Sequence, residues 1–313
     1  MTDSVAAQRR AALEGALIHR PDLGTLVVTG GERQSWLNGL VSCELKGLGS
    51  QQGAFGLHCS KQGKVQTEVW VVLGDDCIYL GVPKERAASV LEVFDRHLIM
   101  EDAEIADAGA EHEWLLADGP SAGELAELAR ASGALAAAAI DRTGRGGAAA
   151  VMARGAAGRL LEAWQARAPG RVLEATPEGW NAVRVDLLVP AFGVDYDDQS
   201  YPQEAALERF AVSFQKGCYL GQEAVFMLQH RGHAKKRLVQ LTVEGSGEVA
   251  PGSEILATGE PTGTITSLAP SPDGSATLAL GYVKYKHAVT GSELTIASRR
   301  ARVTIGREDA PPS

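Results

Sequence analysis

The stretch Ser213-Phe214-Gln215-Lys216-Gly217-Cys218-Tyr219-Leu220-Gly221-Gln222-Glu223 crowds side chains of mixed chemistry more closely than any other part of this chain. It reads as a glycine-hinged loop running into a helix that begins near Gly221. Glycine tolerates φ > 0, so Gly217 and Gly221 let the backbone fold tightly around Cys218. A thiol beside Lys216 and close to a helix N-terminus has its thiolate favoured, and the thiolate is the form that acts as nucleophile or metal ligand. The competing reading is a small buried residue in a turn, because free cysteines are among the most buried residues. Spacing leaves both open.

Other candidates carry weaker signals. Arg184 and Asp186 read as a solvated pair near a helix end. Asp195, Asp197 and Asp198 resemble a calcium loop but lack the glycine and terminal glutamate of an EF-hand, which makes a turn the expected outcome. His230 to Arg237 holds Arg231, Lys235, Lys236 and Arg237 with no acid. It reads either as an anion site, for the acidic tail of a small ligand or an RNA phosphate, or as a solvated strand edge, and the edge is favoured. Gly119-Pro120-Ser121-Ala122-Gly123 fits G-x-S-x-G, the nucleophile elbow of a serine hydrolase. Ser121 to Glu124 is equally a helix capping box, and an elbow tops a parallel sheet where this region reads as antiparallel. No P-loop, H-E-x-x-H or dinucleotide fingerprint is present.

Three zones must position these groups. The first, to about residue 111, opens with a short helix and a strand over Thr25–Thr29. An amphipathic helix around Trp36, Leu37, Leu40 and Val41 follows, then strands at Val65–Leu73 and Ile78–Val82 and a helix after Pro83. The second zone, 112–176, runs β-α-β-β-α-β, the split ferredoxin-like order, with an alanine-rich strand at Ala136–Ile140 that is as easily read as helical. Residues 177–237 form a helical and loop segment carrying the cysteine motif. From 238 to 307 only short strand signals appear, in six runs separated by turns such as Pro251-Gly252 and Pro272-Asp273-Gly274, as in a small barrel.

Net charge is -9, which argues against broad nucleic-acid binding, so direct RNA binding is not expected. Cys43, Cys59, Cys77 and Cys218 form no C-x-x-C pair and gather no histidines at zinc spacing, so no metal site is expected and a reducing compartment is. Met1 to Pro21 has no apolar run of a signal peptide, and no stretch reaches a membrane span. A cytoplasmic protein is the expectation.

Lys216-Gly217-Cys218-Tyr219-Leu220-Gly221-Gln222-Glu223, between Ser213-Phe214 and a helix leading to His230-Arg231-Gly232, resembles the signature of the YgfZ family. Trp36 to Leu40 and Leu57 to Val69 are more weakly similar to that family's first helix and to its strand across the folate cleft. The resemblance implies an α+β, aminomethyltransferase-like folate-binding fold with mixed and antiparallel sheets and a terminal β-barrel. It implies tetrahydrofolate, or a folate derivative, as ligand. The implied role is support of the assembly or repair of iron–sulfur enzymes, including tRNA-modifying ones, with iron–sulfur client or assembly proteins as partners. Cys218 would be the functional thiol, with Lys216, Gly217, Tyr219, Gly221, Gln222 and Glu223 shaping its loop and the folate site. Arg184 and Asp186 match the stretch in which aminomethyltransferases set an acid against the pterin; a carboxylate suits an aminopyrimidine edge because it accepts two hydrogen bonds.

Three positions depart from the pattern. Thr67 stands in the expected place of the catalytic aspartate, with Glu68 on the opposite strand face; Met227 replaces a frequent arginine and Leu188 a common glycine. The threonine favours a binding protein over the alternative, a folate-dependent aminomethyl or one-carbon transferase. Whether it is an enzyme stays open.

Overall fold

Alternation of apolar side chains along the N-terminal strands produces sheets that bury both faces. The computed structural model describes residues 4–245 and 249–309. Helix α1 (Val5–Glu14) leads into β1 (Ala16–His19) and β2 (Leu23–Thr29); α2 (Arg33–Asn38), β3 (Gly53–Cys59), β4 (Val65–Leu73), β5 (Ile78–Pro83), α3 (Ala87–Asp95) and β6 (Glu104–Asp107) follow. One sheet has the order β3-β4-β5-β2-β6 and is antiparallel throughout. Along β4, Val69 and Val71 face the helices α2 and α3, whereas Trp70 and Val72 face a second sheet. Each fully buried side chain of this kind contributes about 1.5–3 kcal/mol.

The second sheet is built from β7 (His112–Asp118), β8 (Ala136–Ala139), β9 (Gly147–Ala153) and β10 (Val172–Glu174), with α4 (Ala122–Ala131) and α5 (Ala157–Arg167) on its outer face. The alanine-rich segment is therefore a strand. Small side chains let it lie against both neighbours, and Ala136 and Ala138 pack against the first sheet while Ala137 packs under the helices. The β-α-β-β-α-β order holds, but the strand order is β10-β1-β7-β9-β8. The four-residue β1, which sequence reading overlooked, wedges between β10 and β7, parallel to the first and antiparallel to the second. The N-terminal segment and residues 112–176 thus share a sheet.

Helix α6 (Pro177–Asp186) starts at Thr176, whose side chain accepts from the Gly179 amide at 3.0 Å, with proline at the first turn. A long loop leads to α7 (Gln222–His230). The barrel then closes in the order β11-β14-β13-β12-β15-β16, from β11 (Lys236–Glu244), β12 (Glu254–Ala257), β13 (Glu260–Pro270), β14 (Ala276–Lys284), β15 (Glu293–Ile296) and β16 (Arg299–Ile305). All six strands coincide with the expected runs. The Ser121 motif follows β7, whose partners β1 and β9 are both antiparallel to it, so the setting of a nucleophile elbow is lacking. Nor does the Ser121 side chain cap α4. Among the described residues no helix is long and apolar enough to cross a membrane.

Candidate functional site

Between the two sheets and α6 lies a cavity of about 470 Å³, within the range of small-molecule sites. Three walls define it. The β1–β2 connection supplies His19 to Leu23; β4 supplies Glu68 and Trp70; α6 and the loop after it supply Trp180, Arg184 and Phe192. Trp180 and Arg184 are four residues apart and share one helix face. Arg142 enters from the turn between β8 and β9, where the Asp141 carboxylate accepts from the amides of Thr143, Gly144 and Gly146 and so fixes the chain.

Glu68 is the carboxyl that β4 contributes to the lining. Tyr196 donates its hydroxyl to Glu68 Oε2 at 2.7 Å. Burial holds the Glu68 carboxyl above the usual carboxylate range, against the opposing pull of Arg142 and of the Tyr196 hydrogen bond. Thr67 points the other way and is wholly buried. The alternation expected along β4 holds, and the face that lines the cavity is that of Glu68 and Trp70, opposite the expected Thr67.

His19 is stacked on Trp180 with ring centres 4.2 Å apart, and its Nε2 lies 3.1 Å from Asp118 Oδ2. Burial lowers the His19 pKa, so the ring is neutral near pH 7. Burial disfavours the Asp118 carboxylate, but Arg142 and His19 together outweigh it and hold its pKa below the ordinary value. His19, Trp70, Asp118, Arg142 and Trp180 were not found from sequence. They come from five separate elements, and the one local hint was the glycine-rich turn after Arg142.

The expected Arg184–Asp186 pair divides. The two residues are about 200° apart around a helix of 3.6 residues per turn. Arg184 reaches the cavity wall, where Nη1 donates to Asp195 Oδ2 at 2.6 Å and Nη2 to Ser267 at 2.7 Å. Asp186 lies outside the cavity lining, accepting from Arg9 Nε and Nη2 at 2.7 and 2.9 Å. Asp195, expected in a solvated turn, is instead buried between α6 and β13, accepting also from Thr266 and Ser267.

The cysteine motif occupies a different place, and none of Lys216–Glu223 lines the cavity. Cys218 is exposed, whereas Cys43 and Cys59 are buried and their thiols are pushed up to about 12 by desolvation. Lys216 does not serve Cys218. Its ammonium is buried and donates to the carbonyls of Asn38, Val41 and Cys43 at 2.6–2.8 Å, so it braces the segment after α2. Gly221 has φ +83 and caps α7; a Cβ there would stand 2.3 Å from the Ser60 carbonyl. Gly217 has open space around it and no positive φ, contrary to expectation. Tyr219 is buried over Lys216, Gln222 Nε2 donates to the Lys216 carbonyl at 3.4 Å, and Glu223 is exposed. Leu188 takes φ +53, the conformation that favours a glycine there. Arg237 is buried and paired with Glu208 at 2.6 Å, while Arg231, Lys235 and Lys236 are exposed. No group of three or more metal-binding side chains comes together among the described residues.

Residues 236–311 match the glycine cleavage T-protein C-terminal barrel domain. The structure of glycine cleavage system aminomethyltransferase T from Bartonella henselae superposes with a TM-score of 0.78 at 16% identity, covering 96% of this chain and 88% of that one. This chain has the aminomethyltransferase fold. An aminomethyltransferase of Halothermothrix orenii is 31% identical over 150 residues, 47% of this chain but only 42% of that relative's length. The tRNA-modifying protein YgfZ of Vibrio vulnificus is 27% identical over 256 residues, 79% of this chain and 75% of that protein. Within the aminomethyltransferase fold, the cavity at Glu68 is enclosed by the two sheets and α6, and the cysteine motif braces the hairpin of β3 and β4 from outside through Gly221 and Gly63.

Proposed function

We propose that this protein binds tetrahydrofolate in the cavity at Glu68 and acts as an accessory to iron–sulfur enzymes through the thiol of Cys218. The observation that carries the folate half is the carboxyl of Glu68, beside Trp70 and bonded to Tyr196, on an aromatic-walled cavity of about 470 Å³ that Asp22, Glu85 and Glu174 also line. Glu68 suits the aminopyrimidine edge of a pterin by the argument first applied to Asp186. The likeness to YgfZ of Vibrio vulnificus and the exposed motif cysteine support the accessory half.

Anaerobic calorimetric titration of tetrahydrofolate into wild type, Glu68→Gln and Asp186→Ala tests the folate half. Glu68→Gln is expected to weaken binding at least tenfold, and Asp186→Ala to leave it within twofold. No saturable binding to folded wild-type protein refutes the reading. Asp186→Ala is instead expected to destabilise by about 1–3 kcal/mol, because it removes the carboxylate partner of the buried Arg9 and leaves it only the Pro270 carbonyl. Glu68→Gln carries no such cost. The folded pKa of Glu68 is raised, so its contribution to stability is full below its unfolded value and is lost as pH rises through the folded one. At pH 7 the glutamine variant is therefore expected to unfold at the same urea concentration as wild type or higher.

For the accessory half, a thiol reagent added to native protein is expected to label one cysteine in a fast phase, and Cys218→Ser to abolish that phase. Persistence of the fast phase in Cys218→Ser excludes this thiol as the reactive one.

Glu68 also favours a second reading, folate-dependent one-carbon transfer. A buried carboxyl whose pKa is raised above the ordinary carboxylate value is suited to give and take a proton at a folate nitrogen. Formation of methylene-tetrahydrofolate from an aminomethyl donor, lost in Glu68→Gln, is the expected result on that reading.

A further inference from the structure

Five exposed cations gather where α7 meets the barrel: Arg231, Lys235, Lys236, Lys284 and Lys286. The pairing of β11 with β14 sets Lys236 directly opposite Lys284, and the Tyr285 amide donates to the Lys235 carbonyl at 3.0 Å. Like charges facing each other across a strand pair are destabilising. None of the five is ion-paired among the described residues. His287 registers the same field: burial, and then the charges of Lys286 and Lys284, lower its pKa. A chain of net charge -9 thus keeps a concentrated positive patch with no ionic partner of its own.

Protection of a strand edge does not account for these lysines. β11 is paired with β14 over its whole length and with β16 from Gln240 onward, and the Leu238 amide donates to the Glu204 carbonyl at 2.7 Å. A closed barrel has no edge to guard.

The surface continues onto α7, which buries only Val225 and leaves Phe226 and Met227 exposed at 41% and 43%. Arg231 ends that helix, its amide donating to the Met227 carbonyl at 3.0 Å. His233 stacks on Tyr285 with ring centres 4.0 Å apart, which holds the connection carrying the cations against the barrel. Apolar side chains bordered by charge have the layout of a protein–protein interface. Nucleic acid fits less well, because bases stack on free ring faces. The rings among the cations are already occupied, Tyr285 by His233 and Arg307 and Tyr282 by Lys236.

We propose that this face docks an acidic surface of a partner protein, whose carboxylates meet the five cations and whose apolar residues cover Phe226 and Met227. Cys218 is exposed just before the other end of α7, a helix about 14 Å long. Docking here deepens the accessory reading and rests on it for what the partner is.

Fluorescence anisotropy tests the docking with two labelled probes, a peptide of glutamates interspersed with leucines and a poly-uridine RNA of similar charge. Wild type is expected to bind the peptide saturably, and the double variant Lys284→Glu with Lys286→Glu to weaken it at least tenfold. Phe226→Ser is expected to weaken it at least threefold, and Lys46→Glu, at an exposed lysine outside the patch, less than twofold. Lys284→Glu alone sets opposite charges across β11 and β14, so its urea midpoint is expected to equal or exceed that of wild type while its affinity falls. A merely structural lysine would move both in the same direction. Wild-type affinity in Cys218→Ser is expected, and keeps the surface even where thiol labelling refutes the reactive cysteine. No saturable peptide binding to folded wild type overturns the proposal, as does an equal loss in Lys46→Glu. Patch-dependent binding of the RNA without the peptide also overturns it and makes the site a phosphate-binding one.

Discussion

Arg184→Met is expected to destabilise the protein by about 3–5 kcal/mol, the range for breaking a buried ion pair from one side. Both side chains of the Arg184–Asp195 pair are almost fully buried, at 7% and 0% exposure. The variant leaves the Asp195 carboxylate between α6 and the barrel with hydroxyls and one amide, from Thr266, Ser267 and Ala191, but no cation. The double variant Arg184→Met with Asp195→Leu removes both charges and is expected to recover more than half of the loss. Urea denaturation measures both. A loss below 1 kcal/mol in the single variant would show that the pair does not anchor the barrel to the body.

Lys216→Met is expected to cost about 3 kcal/mol, since it strips a shared charged donor from three carbonyls at once. Those carbonyls belong to Asn38, the last residue of α2, and to Val41 and Cys43 in the segment leading to β3. The expected companion effect is local: amide hydrogen exchange should accelerate from Gly39 to Glu44 while the barrel is unchanged. A different result, normal stability with a slower Cys218 thiol reaction, would return Lys216 to the role first read for it. The contrast is informative because sequence adjacency brought Lys216 and Cys218 together. In the folded chain, the ammonium is directed inward and the thiol outward.

Much of the architecture was legible from local chemistry. The six barrel strands were marked by turns whose proline and glycine backbones admit few alternatives. The β-α-β-β-α-β order of the second sheet followed from periodicity, and Gly221 followed from a loop that must turn sharply into a helix. The departures share one cause, that the side of an element is not fixed by its own sequence. Period two along β4 separates Thr67 from Glu68, but which face meets a cavity depends on the second sheet. Helical spacing likewise puts Arg184 and Asp186 on different faces without saying which faces inward; α1 takes Asp186 through Arg9, and the cavity takes the other.

The sequence by itself therefore determined most of the elements, the six strands of the barrel and a glycine-flanked cysteine. Only the tertiary structure decided the site. Glu68 and Trp70 share one face of β4, but Arg142, Trp180 and His19 stand on a turn, a helix and another strand dozens of residues away, and nothing short-range links these to β4. Their pairing depends on two sheets packing face to face, and on a four-residue strand completing one of them. Packing of that kind is a sum over many long-range contacts, which no local pattern along the chain records.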